Sequence, residues 1–177
     1  MPVQARRPWQ TAQVPSVVTI GVYGFTGERF LAALGEADVR LLVDVRDRRG
    51  VRGTRYAWAN AKRLEDSLSA AGIRYRHRRD LATPAELREA QYAEDRRHGL
   101  GQRNRTRLAP EVRERYAAEV LSHVDLAELV EGLPADGACA LMCVEREPSA
   151  CHRSLIAERL AAEHGVEVRD LLPSGRS

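Results

Sequence analysis

Short solid blocks of apolar residues alternate along this chain with stretches whose apolar positions recur every three or four residues. Buried strands between amphipathic helices produce that pattern. Residues 17–21, Val-Val-Thr-Ile-Gly, form the first strand-like run, closed by Gly21 and Gly24. Thr26 then caps a helix carrying Phe30, Leu31 and Leu34. Residues 39–45 read as a buried strand, 46–56 as a basic loop with Gly50 and Gly53, and 58–71 as a helix that stops at Gly72. A third strand over 73–77 precedes a helix over 86–97 and a polar, basic loop over 99–106. One long helix is predicted over 110–131, with Pro110 in its first turn and Val112, Tyr116, Val120, Leu121, Val124 and Leu129 facing inward. After a Leu-Pro-Ala-Asp-Gly turn comes the apolar run holding Cys139 and Cys143. Ser149 then caps a helix with Leu155, Ile156 and Leu160 that closes at Gly165, and 166–171 is the last strand.

Repeated strand and helix alternation predicts an α/β fold, a single three-layer α/β/α domain with a mostly parallel central sheet. At 177 residues and 44% hydrophobic content the chain fills one core rather than two. The expected organisation is a flexible lead-in over 1–16, the domain over 17–172 and a tail over 173–177. No apolar run approaches membrane-span length, the first residues lack a signal-peptide core, and three cysteines without secretory context point to a reducing cytoplasm. No repeat is present. Gly21, Gly24 and Gly27 recur every third residue, unlike a dinucleotide fingerprint, and no cofactor motif is read.

The net charge of +3 hides an uneven distribution. Arginines cluster at Arg46, Arg48, Arg49, Arg52 and Arg55, at Arg74, Arg76, Arg78 and Arg79, and again from Arg96 to Arg107, whereas Lys62 is the single lysine. Guanidinium groups bind phosphate bidentately, so the clusters fit nucleic acid or a nucleotide as partner. A solvated, ion-paired surface is the competing explanation. Nothing in the sequence specifies an oligomeric state.

The densest chemistry lies between Cys139 and Ser154, where a buried strand, a polar loop and a helix start converge. Cys139, in mid-strand, is a small core side chain. Cys143, at the strand's end, has a packing reading and a chemical one. Cys151 and His152 fall in the first turn of the following helix, where free backbone N–H groups and the dipole lower a thiol pKa and attract anions. Cys143 or Cys151 is then the candidate nucleophile, His152 or Asp44 the proton carrier, and Arg46 and Arg153 the anion clamp. Glu145, Ser154, Arg49 and Arg52 complete the expected binding set. Pairing of Arg153 with Glu145 or Glu147 is a structural alternative. The spacing Cys-x7-Cys-His matches no familiar zinc pattern, so no metal is expected, and proximity of Cys143 to Cys151 would also permit a reversible disulfide.

Several of these segments together resemble the domain of unknown function 488 family. They are Thr19-Ile20-Gly21, Leu42-Val43-Asp44-Val45-Arg46, Gly72-Ile73-Arg74-Tyr75, Leu141-Met142-Cys143-Val144-Glu145 and Cys151-His152-Arg153-Ser154-Leu155-Ile156-Ala157. The resemblance spans about 19–171. It implies a compact bacterial α/β domain with a polar pocket of Asp44, Arg46, Cys143, Glu145, Cys151, His152 and Arg153, and it names no reaction. This chain departs from the family pattern at Val22, where a histidine is usual, at Leu81-Ala82-Thr83 in place of Leu-Gly-Gly, and around Arg169-Asp170-Leu171, which lacks a terminal histidine. A weaker architectural likeness is to rhodanese and cysteine phosphatase domains, whose Cys-x5-Arg loop is shorter than the Cys143 to Arg153 interval. The expected activity is that of a thiol-dependent hydrolase or transferase on a phosphate-bearing substrate; the alternative is a non-catalytic nucleic-acid-binding module.

Overall fold

The computed structural model describes residues 14–175, so most of the expected lead-in and the last two residues of the tail lie outside the described residues. In chain order the elements are β1 (Ser16–Gly21), α1 (Gly27–Glu36), β2 (Val39–Asp44), α2 (Ala61–Ala70), β3 (Arg74–His77), α3 (Ala85–Arg97), α4 (Pro110–Glu119), α5 (Leu126–Glu131), β4 (Ala138–Cys143), α6 (His152–His164) and β5 (Glu167–Leu171). The five strands form one sheet in the order β3-β2-β4-β1-β5, and every pairing is parallel.

Helices cover both faces, which is why β4 is buried at every position and reads as a continuous apolar run. Phe30 and Leu34 of α1 and Leu64 and Leu68 of α2 pack on Val18, Ile20, Leu42, Ala140 and Met142. The alternate strand residues Val17, Val43, Cys139 and Leu141 meet Leu87, Val112, Tyr116, Ile156 and Leu160 on the other face. Thr26 caps α1 as expected, its hydroxyl accepting from the Arg29 N–H, and Gly165 ends α6 at φ +63°, a conformation glycine adopts without strain.

Two predicted helices are broken. The span 58–71 is the end of a 3-10 turn, Thr54–Ala59, followed by α2, with extended Asn60 between them, its side-chain oxygen accepting from the Val51 N–H. The span 110–131 divides into α4 and α5 around a 3-10 turn at Leu121–His123, where Asp125 caps a new start by accepting from the Ala127 N–H. That break lets Val120, Leu121, Leu126 and Leu129 all reach the core.

The order of connections positions the site. From β2 the chain leaves for α2 on one face, whereas from neighbouring β4 it leaves for α6 on the other. Adjacent strands whose continuations diverge open a crevice at their carboxyl ends. Asp44 pairs with Met142 in register, so the residues after β2 and after β4 face one another there.

Candidate functional site

Cys143 ends β4, and the chain then runs through a loop and a 3-10 turn, Pro148–Ala150, before α6. The helix starts two residues later than Ser149 predicted. Ser149 donates to the Thr106 carbonyl at 2.6 Å, tying this loop to the one before α4, and extended Cys151 occupies the N-cap position. Ser154 donates back to the Cys151 carbonyl at 2.9 Å. Arg153 is wholly buried and spends its guanidinium on the carbonyls of Glu145 at 2.7 Å and Arg146 at 3.1 Å and on the Thr19 hydroxyl at 3.3 Å. It braces the loop from behind.

The crevice is a cavity of about 870 Å³. Cys143, Glu145, Cys151 and His152 line its buried floor, Arg46, Arg88, Arg105 and Tyr92 its walls, and exposed Arg48, Arg52 and Arg103 its rim. His152 Nε2 donates to the Val45 carbonyl at 3.1 Å, which turns Nδ1 toward both sulfurs, 3.9 Å from each. The Cys143 thiol donates to Glu145 Oε2 at 3.5 Å. Burial opposes ionisation of Cys151, but the Cys143 thiol beside it, the Arg153 guanidinium and His152 outweigh that and hold Cys151 well below the usual thiol range. Cys143 is pushed well above that range by its interaction with the Cys151 sulfur beside it and by burial. Burial alone would lower the His152 pKa; the adjacent Cys151 charge raises it instead. Burial and the same charge raise Glu145. Cys139 stays in the core, its thiol pushed up to about 12 by burial.

The other expected residues divide cleanly. Asp44 is fully buried and accepts from Arg46 Nε at 2.9 Å, Arg46 Nη2 at 2.7 Å and the Tyr75 hydroxyl at 2.7 Å, and it does not line the cavity. Burial, then the Asp44 bond, push Tyr75 up to about 12. Arg46 also donates to the Ala59 carbonyl, so its guanidinium forms wall rather than a free anion clamp. Arg49 pairs with Glu65 outside the cavity at 2.6 Å, and Ser154 and Arg153 likewise lie off its lining. Arg52 is on the rim.

Two contributors were not singled out in the sequence. Arg105 is buried, grips Asp95 through Nε and Nη2 at 2.9 and 2.6 Å, and reaches Glu145 at 3.2 Å, while Gln102 donates to the same Glu145 oxygen. Arg103 lies over the rings of Tyr23 and Tyr56, at 5.5 and 5.4 Å from their centroids. Both belong to the arginine run ending at Arg107, and that run was the available signal. Among the departures from the resembled pattern, Val22 is wholly buried among apolar neighbours, and Asp170 accepts from Thr19.

Comparison with known proteins returned no match among curated proteins or solved structures. One family model does match, over residues 26–160, a stretch that takes in β2, β4, the arginine loops and the Cys151 helix start. Covering well over half of the 177 residues and every residue of the cavity floor, that match shows that this chain belongs to the family described as domain of unknown function DUF488.

Proposed function

We propose that this protein is a thiol-dependent enzyme acting on a phosphate-bearing substrate, a nucleotide or nucleic acid, in the cytoplasm. The observation that carries the reading is the alignment of Cys151, at a helix start, with a cavity whose rim holds three arginines without a carboxylate partner among the described residues. Those are Arg48, Arg52 and Arg103. They take over the anion-binding role first assigned to Arg46 and Arg153. Cys151 is the nucleophile, placed where backbone N–H groups and the Arg153 charge favour its thiolate. His152 carries the proton, its tautomer set by the Val45 carbonyl. Glu145 stands beside it, oriented by Arg105 and Gln102, as a buried acid able to protonate a leaving group. Asp44 acts at one remove: it fixes Arg46, which shapes the wall.

Arg103 stacked on Tyr23 and Tyr56 supports the second reading, a nucleic-acid-binding module, because an arginine and aromatic rim also suits backbone and base contact without chemistry. One experiment separates the two. Labelled single-stranded oligonucleotides and nucleoside triphosphates are incubated with the native chain and with Cys151→Ser, scoring binding by anisotropy and conversion by mass spectrometry. The enzyme reading predicts conversion by the native chain only, with binding kept in both. Salt-sensitive binding without conversion in either protein sinks it in favour of the module.

A further inference from the structure

Cys143 Sγ, Cys151 Sγ and His152 Nδ1 form a compact cluster in which no ligand atom lies more than 4.8 Å from another. Tetrahedral zinc bonds of about 2.3 Å to sulfur and about 2.0–2.1 Å to nitrogen set a sulfur to nitrogen edge of about 3.6 Å. The two sulfur to nitrogen edges here are 3.9 Å, a few tenths of an ångström longer, and the sulfur to sulfur edge is at most 4.8 Å against about 3.8 Å around a tetrahedral ion. A second feature is independent of those distances. Metal-bound histidines almost always donate their other ring N–H to a carbonyl or carboxylate, which fixes the ring and leaves one nitrogen free to bind. His152 Nε2 does this with the Val45 carbonyl. The ligand set is soft, and the side facing away from the protein opens into the arginine-lined cavity.

We propose that Cys143, Cys151 and His152 bind one zinc ion through two thiolates and an imidazole, with the fourth position directed into the cavity. As each bond to the ion forms, any proton on that ligand atom leaves to solvent, and no oxidant or reductant is involved. The unfamiliar Cys-x7-Cys-His spacing follows from the site's origin. Its ligands come from a strand end and a helix start, across a loop held by Arg153, rather than from a finger or ribbon turn. The inference concerns the same cluster as the proposed thiol chemistry and describes a second state of it: with zinc bound neither sulfur attacks a substrate, so the thiol reaction belongs to the metal-free chain.

The test is a cobalt titration of the full chain after chelator treatment, followed by zinc displacement. One cobalt ion per chain, with strong visible absorption of a tetrahedral site and near-ultraviolet thiolate-to-cobalt charge transfer, is the expected result. The signal persists in Cys139→Ser, is lost in Cys143→Ser and His152→Ala, and zinc abolishes it. Weak octahedral absorption without charge transfer in the native chain overturns the proposal, as does loss of the signal in Cys139→Ser. Alkylation of Cys151 in the chelated, metal-free chain reads the thiolate separately. Reactive Cys151 without cobalt binding removes the zinc site alone; cobalt binding with inert Cys151 removes the nucleophile alone.

Discussion

Gly21→Ala adds one methyl group at the end of β1 and tests how closely the site's loop is set against the sheet. A Cβ built there overlaps the Glu145 carbonyl oxygen, sits 2.8 Å from its carbonyl carbon and 3.4 Å from the Arg146 Cα. Carbon atoms in contact settle about 3.5–4.0 Å apart, so the loop must retreat by about 1 Å. Arg153 holds that same Glu145 carbonyl at 2.7 Å, and the retreat therefore strains a buried charge-assisted bond. Overpacking of this kind costs about 1–3 kcal/mol. In a domain of this size each kcal/mol moves the melting midpoint by about 2–4 °C, which gives a fall of about 2–12 °C. Gly35→Ala is the matched control: exposed near the end of α1, its Cβ meets nothing within 4 Å. There alanine's helix preference raises stability by about 0.5–1 kcal/mol. Thermal melts followed by circular dichroism should move in opposite directions for the two variants. A Gly21→Ala midpoint at or above that of the unsubstituted chain refutes the close approach.

Further outcomes follow from the charged groups. Asp95→Ala leaves Arg105 buried with only Glu145 opposite it, and urea denaturation should show a loss of about 3 kcal/mol, the low end for a broken buried pair. Asp80 is held below its ordinary 3.8 first by the hydrogen bond from Arg78, opposed by partial burial. A depressed carboxyl stabilises above its unfolded pKa and loses that contribution as pH falls through its folded value. Asp80→Asn should therefore cost under about 1 kcal/mol near neutrality, the Asp80 side chain being half exposed, and the difference should vanish in acid. Under the proposed role of the rim, Arg103→Ala should reduce the salt slope of oligonucleotide binding by about 1, with α6 unchanged by circular dichroism.

The alternation of buried runs and amphipathic stretches is dictated by burial on both faces of a parallel sheet, so strand number, the three layers and the ends at Gly72 and Gly165 were readable residue by residue. Convergence of Cys143, Glu145, Cys151 and His152 also followed from local order, because a strand end and the next helix start share one sheet edge. What was not readable depends on partners far along the chain. Ser149 has the composition of a cap, yet its hydroxyl is taken by the Thr106 carbonyl, 43 residues earlier. Arg153 and Arg46 have the chemistry of anion clamps, but carbonyls and Asp44 absorb their donors once the chain folds. Conversely, Arg103 became a rim cation because no acid approaches it among the described residues, a fact its neighbours in sequence do not encode. The division of 110–131 into two helices turned on Asp125 competing as a cap inside an otherwise helical pattern.

The central claim is that Cys151 is an ionised thiol reached from the arginine-lined cavity. Its most direct test is the pH dependence of iodoacetamide labelling at each cysteine of the folded, chelator-treated chain, read by peptide mass spectrometry. Cys151 should label with an apparent pKa well below the usual value of about 8.5, a nucleoside triphosphate should slow it, and Cys139 should stay unlabelled. Labelling of Cys151 only after unfolding, or with an ordinary thiol profile, would contradict it.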